Sequence, residues 1–292
     1  MKTKKNVWKM MLTVALGMML AVVFAGCSSS TDKKPAANPS GAAATDESLA
    51  KIKAKGKLVV GINAEFAPFE FHAMIDGKDT IVGFDADVAR EVAKDMGVEL
   101  ELKELSFDAL LTTLQSGQLD VVISGLSATE ERRKSVDFSD TYYKSAQVLL
   151  TTKGNVEKFN TFNDMKGKKI GIQLSSLQDK LMDSLMPDGN YTKIESMNTL
   201  FLSLKSNQID GIVTSQVVSE MAVAANPEFA IAKKVVIDDS SLNSPGVAVA
   251  MRKNSAALQA QISATVKRLN DSGQMQKYVD AACQLAGTTQ KK

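Results

Sequence analysis

Apolar and polar residues in the body of the chain follow two periodicities that alternate along it. Residues 58–62 form a short run of mostly branched apolar side chains, which predicts a buried strand. Residues 120–124 (DVVIS) predict another buried strand, of the kind found in parallel sheets. Between them, apolar residues recur at every fourth position of a predicted helix that ends at Gly97: Phe84, Val88, Val92 and Met96.

The alternation of strands and helices continues towards the C-terminus. Further strands are predicted at residues 98–103, 169–172, 191–195 and 210–214. Further helices are predicted at residues 107–115, 177–186 and 198–206, and near 256–270 and 274–282. Strands that alternate with helices in this way predict a parallel sheet covered on both faces.

Two parts of this alternating pattern resemble each other. Residues 114–124 (LQSGQLDVVIS) and residues 204–214 (LKSNQIDGIVT) share leucine, serine, glutamine and aspartate at equivalent positions. A chance match is the alternative for so short a segment. The simplest structural interpretation is a pair of lobes with similar α/β architecture.

The predicted strands also indicate where a ligand would bind. In open parallel sheets, ligands bind beyond the carboxyl ends of the strands. Those ends are residues 63–66 and 124–127 in the first lobe, and residues 173–178 and 214–216 in the second. The four loops are rich in serine, threonine, asparagine and glutamine, with phenylalanines nearby, which suits a small polar ligand held between the lobes.

Composition and charge exclude several other kinds of function. The chain has 292 residues, of which 44% are hydrophobic and 23% charged, so a packed core is expected. Its net charge of +2 includes four lysines within residues 1–26; the remainder has 31 basic and 33 acidic residues, which gives no basic surface for nucleic acid. With His72 as the one histidine and Cys27 and Cys283 as the two cysteines, neither a zinc cluster nor a conventional catalytic triad is expected. No phosphate-binding glycine motif occurs, and no cofactor is expected.

The N-terminal segment has the pattern of a secretory signal. Lysines come first, an apolar run at residues 10–24 follows them, and small residues come after that run. An uncleaved anchor helix is the alternative, although the run is short for a span of about 20 residues. Cys27 follows Ala-Gly, which resembles the bacterial lipobox, although Phe24 replaces the usual leucine. We therefore expect a signal peptide at residues 1–26, a lipidated Cys27 that carries palmitate, and a flexible tether through residue 51.

Several segments, in their order and spacing, resemble one known family. They are residues 63–70 (NAEFAPFE), 81–88 (IVGFDADV), 114–117 with 123–127, 129–132 (TEER) and 136–143 (VDFSDTYY). Together they resemble the extracytoplasmic solute-binding proteins, family 3, of polar amino acid ABC importers. The likeness spans residues 52–283.

The resemblance implies a two-lobed, periplasmic-binding-protein-like α/β fold of type II. Residues 52–149 and 247–285 would form lobe 1, and residues 153–243 lobe 2, with the strands at 147–152 and 246–251 crossing between them. It also implies an extracytoplasmic monomer on a lipid anchor, which binds an amino acid and delivers it to a permease and ATPase without catalysis. A ligand-presenting sensor and an enzyme like cyclohexadienyl dehydratase, using Glu65, Glu70 or His72, are the alternatives.

The resemblance also assigns roles to residues of the first lobe. Arg132 would bind the ligand α-carboxylate with two parallel hydrogen bonds, with Arg133 or a solvated charge run as the alternative. Ser127 would contact the ligand, although its spacing from Glu130 also suits an N-cap. Phe66 and Phe107 would flank the ligand, with core packing as the alternative. Asp85 and Asp87 open a predicted helix and are expected to be structural.

In the second lobe, Ser175 and Ser176 occupy the loop that the resemblance places on the carboxylate. Ser215 stands where the family usually has the aspartate that pairs with the ligand ammonium. Either Glu65 with the carbonyls near Ser124 and Gly125 replaces that aspartate, or the ligand has a modified or absent ammonium; a simple helix cap by Ser215 is the third possibility. Asn63 also replaces an acid that is common in binders of cationic side chains.

Overall fold

The computed structural model describes residues 46–244 and 246–289. Cys27, the signal peptide and most of the predicted tether lie outside these residues. Helix α1 begins at Ser48, so the end of the tether predicted at residues 48–51 is helical. Ile52 is buried on this helix, and Gly56 ends it in the left-handed conformation, which glycine adopts without strain.

The elements follow one another in the alternating order that the sequence predicts. The strands are β1 (Lys57–Ile62), β2 (Glu65–Phe66), β3 (Glu70–Ile75), β4 (Lys78–Val82), β5 (Glu99–Glu104), β6 (Val121–Val122), β7 (Val136–Tyr143), β8 (Gln147–Thr152), β9 (Lys169–Gln173), β10 (Asn190–Ile194), β11 (Gly211–Ser215), β12 (Phe229–Ile231) and β13 (Val247–Arg252). The helices are α1 (Ser48–Lys55), α2 (Phe84–Met96), α3 (Leu110–Gln115), α4 (Glu130–Arg133), α5 (Leu177–Leu185), α6 (Met197–Lys205), α7 (Gln216–Ala225), α8 (Ala256–Asp271) and α9 (Gln274–Thr289).

Two five-stranded sheets have the same internal arrangement. Their orders are β5-β1-β6-β13-β7 and β10-β9-β11-β8-β12. In each sheet the first three strands are parallel and the last two are antiparallel to their neighbours within the sheet. The prediction of two similar α/β lobes is therefore confirmed. The predicted parallel direction holds for four of the five strands in each sheet; one strand, β13 in the first sheet and β8 in the second, runs in the opposite direction.

The repeated sequence segments occupy equivalent places in the two sheets. Residues 114–124 lead from the end of α3 into β6, and residues 204–214 lead from the end of α6 into β11. Both β6 and β11 are the third strand of their sheet. Strand β6 is shorter than predicted, although the N–H groups of Asp120 and Ile123 still bond to carbonyls of β1.

The chain passes between the two sheets twice, from β7 to β8 and from β12 to β13. The two strands expected at the crossings, β8 and β13, each lie within one sheet, directly after the crossing segment. Gly246 has φ +125° at the second crossing, and a Cβ there would lie 2.5 Å from the carbonyl oxygen of Tyr143. Only glycine fits where the two crossing segments come so close together.

The helices at the C-terminus pack with the first sheet. Leu258, Ile262 and Val266 of α8 are buried in the same apolar core as Phe84 and Val88 of α2, and three buried residues of α9 join it: Met275, Val279 and Ala282. Helix α9 extends to Thr289, beyond the predicted end at residue 282. Within residues 46–244 and 246–289, no helix is both long enough and apolar enough to cross a membrane.

Candidate ligand-binding site

A cavity lies where loops of the two lobes meet. It contains about 580 Å³ of space that no atom fills, part of it open to solvent. The lining residues come from loops after strands of both sheets and from both crossing segments. They are Phe66, Phe69, Phe107, Gly125, Ser127, Arg132, Tyr143, Lys144, Ser145, Gln147, Gln173, Ser176, Leu177, Gln178, Ser215, Asp239, Ser244, Gly246 and Val247.

Arg132 connects the two lobes across this cavity. Its Nη1 donates to the carbonyl oxygen of Ser127 and its Nη2 to that of Ser175, both at 2.9 Å. The guanidinium carbon also lies 5.7 Å from the centre of the Phe107 ring, within cation–π distance. Burial lowers the pKa of Arg132 to about 10, so the side chain keeps its charge at neutral pH.

The charge of Arg132 has no carboxylate partner within 4 Å among the described residues. Its nearest acidic influence is Glu131, which acts on the pKa of Arg132 less strongly than burial does. A partly buried cation without a counterion favours an anionic group of a ligand. Arg133 does not line the cavity; its Cζ lies over the Phe138 ring, at 5.3 Å. Of the two arginines, Arg132 therefore lines the cavity and Arg133 does not.

Ser127 lines the cavity and is not a helix cap. The short helix α4 is capped instead by Thr129, whose Oγ1 accepts from the N–H of Arg132 at 3.3 Å. The carbonyl of Ser127 accepts from the N–H of Thr129, so the chain turns before the helix begins. The alternative interpretation of Ser127 as the N-cap was wrong for this reason. Gly125, two residues before Ser127, also lines the cavity, at φ +51°.

Three phenylalanines form the apolar part of the site. Phe66 stacks on Phe69, with ring centroids 5.2 Å apart, and Phe69 contacts Phe84 in the core at 4.4 Å. Phe66 and Phe107 are only partly buried and line the cavity. They therefore pack against the core and also face the cavity, so the two interpretations of these residues are compatible.

In the second lobe, Ser176 and Ser175 have different positions. Ser176 is 3% exposed, lines the cavity and caps α5, with its Oγ accepting from the N–H of Asp179 at 3.1 Å. Ser175 is exposed and has φ +62°, and its side chain does not line the cavity. Its carbonyl oxygen nevertheless accepts from Arg132, so it contributes through the backbone.

Ser215 lines the cavity, and its hydroxyl group is unpaired. It precedes α7, but its side chain makes no capping hydrogen bond. The N–H of Val217, which a cap would bind, instead donates to Ser145 Oγ at 3.4 Å. The capping alternative for Ser215 was therefore wrong. Its Oγ is buried, the residue is 5% exposed, and the hydroxyl has no hydrogen-bond partner.

Besides Ser175, three predicted site residues lie outside the cavity. The Asn63 side chain donates to the carbonyl of Leu105 at 3.0 Å and accepts from Gln173 Nε2 at 3.2 Å, which links the two lobes. Ser124 is fully buried and does not line the cavity. Glu65 accepts from the N–H of Asn198 at 3.5 Å, on another surface. Glu65 is thus wrongly placed to replace the missing aspartate in this cavity.

Sequence reasoning missed the lining residues of the crossing segments. The first crossing contributes Tyr143, Lys144 and Ser145, and the second contributes Asp239 and Ser244. The signal that could have found them is the predicted crossings themselves, because chains that pass between lobes form the floor of the cleft. Gln173 was also missed, although it ends a strand whose loop was predicted to face the ligand.

The charged residues among those lining the cavity are Arg132, Lys144 and Asp239. No group of three or more histidine, cysteine, aspartate or glutamate side chains suited to a metal ion occurs in the described part of the chain. The other polar side chains that line the cavity are neutral. Gln178 Nε2 donates to Gln147 Oε1 at 2.6 Å, so these two amides are already oriented along one wall.

The chain resembles proteins of known ligand. It is 34% identical over 226 residues to the arginine-binding extracellular protein ArtP of Bacillus subtilis (strain 168), which covers 76% of this chain and 84% of that protein. It is 33% identical over 236 residues to the glutamine-binding protein of Geobacillus stearothermophilus, covering 78% and 88% of the two chains.

A solved structure shares both fold and sequence with this chain. The amino acid ABC transporter substrate-binding protein AbpA of Streptococcus pneumoniae, bound to L-arginine, matches with a TM-score of 0.78 and 37% identity, over 81% of this chain and 98% of that one. The sequence model of one family matches residues 58–282, which include every strand of the two large sheets except the first residue of β1. The chain therefore belongs to the bacterial extracellular solute-binding proteins of family 3.

Proposed function

We propose that this protein binds a polar amino acid in the cavity between its lobes and delivers it to the permease and ATPase of an ABC importer. The observation that carries the proposal is Arg132, a cation with no carboxylate partner among the described residues, placed between loops of both lobes. The relatives that bind arginine and glutamine support an amino acid ligand.

The ligand α-carboxylate would occupy the space beside Arg132. The guanidinium can donate two parallel hydrogen bonds to a carboxylate, once the ligand replaces its contacts with the carbonyls of Ser127 and Ser175. Ser176 lies at the N-terminus of α5, where unpaired N–H groups favour a negative charge. Both features support a carboxylate at this end of the cavity.

The ligand α-ammonium would contact the Ser215 hydroxyl, which is buried and free to accept a hydrogen bond. Among the described lining residues Asp239 is the one acid, whereas Arg132 and Lys144 are both cations. A second positive charge on the ligand side chain would be unfavourable in such a cavity. We therefore propose an uncharged polar side chain, such as that of glutamine, rather than that of arginine.

A binding role without catalysis is supported by the positions of the candidate acids and bases. Glu65, Glu70 and His72, which a dehydratase-like reaction would need, are not among the lining residues. Glu70 is buried behind the loop, and His72 bridges Asp79 and Glu104 on the surface, at 3.0 Å from each. General acid–base catalysis requires hydrogen-bond contact with the substrate, directly or through one water.

We also propose that the chain is held at the outer face of the cell membrane by a lipid on Cys27, with the residues before α1 as a tether. The support is the sequence pattern alone: an apolar run, Ala-Gly-Cys, and a polar segment rich in small residues. We propose that the protein acts as a monomer, as the resemblance to the family implies.

A thermal-shift screen of the common L-amino acids, followed by calorimetry, tests the proposed ligand. A ligand at 100 times its dissociation constant raises the free energy of unfolding by about 2.7 kcal/mol. We expect L-glutamine to raise the melting temperature more than L-arginine or L-histidine. If no amino acid changes the melting temperature, the proposal is wrong.

A further inference from the structure

Two carboxyl groups lie in contact behind the ligand-binding loop. Glu70 at the start of β3 is 1% exposed, and Asp85 in the first turn of α2 is fully buried. They accept hydrogen bonds from the adjacent residues Ser124 and Gly125, and each of the two groups shifts the pKa of the other. The groups that face them are Ser124 and Gly125 of the loop and Tyr142 of β7, and none of these is a cation.

The hydrogen bonds around Asp85 favour its ionised form. Its Oδ2 accepts from the N–H of Gly125 at 2.6 Å, and its Oδ1 accepts from the hydroxyl of Tyr142 at 2.9 Å. Both oxygens of Asp85 therefore act as acceptors, as in an ionised carboxylate. A proton on either oxygen would make it a weaker acceptor, so the two donors favour the charged form of Asp85.

The hydrogen bonds around Glu70 leave one oxygen for the shared proton. The hydroxyl of Ser124 accepts from the N–H of Asn63 at 3.0 Å, so it donates its own proton to Glu70 Oε1, at 2.8 Å. Glu70 Oε2 has no donor directed at it. Two carboxyl groups in contact need one proton between them, and Glu70 Oε2 is the atom free to carry it.

We propose that Glu70 is protonated at neutral pH, donates that proton to ionised Asp85, and through this pair positions the loop at residues 124–127 for the ligand. Gly125 and Ser127 of this loop line the cavity, and the pair holds the loop from behind through Ser124 and Gly125. Glu70 and Asp85 are thus positioning residues. The ligand-affinity part of the inference rests on the proposed function.

The electrostatic surroundings agree with this assignment. Burial, and next the negative charge of Asp85, raise the pKa of Glu70 well above its usual range. Burial raises the pKa of Asp85 only to about 6, because Gly125 and the Glu70 and Tyr142 side chains donate to it. Tyr142 is the third titratable group, and burial keeps its hydroxyl protonated by raising its pKa.

Two amide variants separate the roles of the two carboxyl groups. In Glu70→Gln, the new amide nitrogen can donate to Asp85 while its oxygen still accepts from Ser124, so every hydrogen bond is kept. In Asp85→Asn, one acceptor becomes a donor that faces another donor. We expect Glu70→Gln to change the ligand dissociation constant by less than about threefold and Asp85→Asn to raise it by about tenfold or more, since each lost bond to a charged group is costly.

Measurements without ligand test the proton directly. The infrared difference spectrum of the wild type minus Glu70→Gln at pH 7 should contain the carbonyl stretch of a protonated carboxylic acid. The free energy of unfolding of the wild type should fall relative to that of Glu70→Gln as pH rises above about 4.5, because the native state keeps a proton that the unfolded chain has lost.

The results distinguish this inference from the proposed function. If the acid band is absent, or if Glu70→Gln lowers the melting temperature as much as Asp85→Asn does, the assignment of the proton is wrong. If the spectrum and the pH dependence are as expected but no amino acid binds, the proton is where we place it and the proposed function is wrong. If Asp85→Asn does not fold, the spectrum and the pH profile of Glu70→Gln still decide the matter.

Discussion

The guanidinium of Arg132 donates to the carbonyl oxygen of Ser175 at 2.9 Å, which joins a residue after β6 of the first sheet to a residue after β9 of the second. A ligand carboxylate that replaces this carbonyl would remain between both lobes. Binding would then favour the closed form, because the ligand contacts both lobes only when they are together.

The Arg132 side chain should be needed for its shape as well as for its charge. Arg132→Lys keeps the charge but loses the pair of parallel hydrogen bonds, so we expect binding to weaken by about 1.5–3 kcal/mol. Calorimetric titration measures the loss. Arg133→Lys is the matched control and should change affinity little, because Arg133 does not line the cavity. The reverse order of effects would place the carboxylate elsewhere.

Ser215 offers a second test, which depends on the sign of the change. If the α-ammonium contacts Ser215, Ser215→Asp should tighten amino acid binding by up to about 1.5–3 kcal/mol, since a charged acceptor replaces a neutral one. Ser215→Asn is the matched control, because asparagine has nearly the size of aspartate but no charge. It should give no such gain in affinity. Weaker binding to Ser215→Asp than to the wild type would indicate a ligand without that ammonium, because the new charge would be buried unpaired.

The hydrogen bond between Asn63 and Gln173 joins the lobes outside the ligand contacts. Asn63→Ala removes this bond, together with the bond to Leu105. It should weaken ligand binding by about 0.5–1.5 kcal/mol, because it destabilises the closed form without removing a contact with the ligand. Small-angle scattering should show a larger radius of gyration for unliganded Asn63→Ala than for the unliganded wild type. An unchanged affinity would mean that this bond forms equally well in the open state.

Cys27 can be tested without any knowledge of the ligand. We expect Cys27→Ala to abolish labelling by a tagged palmitate in a bacterial host, because the thiol that carries the lipid is gone. Cys283→Ala is the matched control and should label like the wild type, since Cys283 lies in α9. Equal labelling of the wild type and Cys27→Ala would contradict the anchor.

Periodicity predicted most of the fold because strands and helices of this protein are local patterns of apolar residues. The direction of β8 and β13 could not be predicted in this way, since it depends on where the chain enters each sheet. Helix α1, which begins at Ser48, was missed for a different reason: Ile52 is its one buried residue, and Leu49 is only partly buried.

Part of the candidate site could be predicted from strand ends and from the resemblance to the family: Arg132, Ser127 and Ser176 line the cavity, and their contacts with a ligand stay a prediction. Lys144 and Asp239 could not be identified, because their approach to the cavity depends on contacts between distant segments. The helix-opening position of Asp85 predicted a structural role. Its contact with Glu70 required the packing of β3 against α2, which no local pattern contains.

The central claim, that the cavity captures an amino acid by its α-carboxylate, is tested most directly by a pair of calorimetric titrations. The wild type is titrated with L-glutamine and with L-glutamine α-amide, in which an uncharged carboxamide replaces the carboxylate. We predict binding of L-glutamine and a loss of at least about tenfold in affinity for the amide, since Arg132 would lose its anionic partner. Equal affinity for the two compounds would contradict the claim.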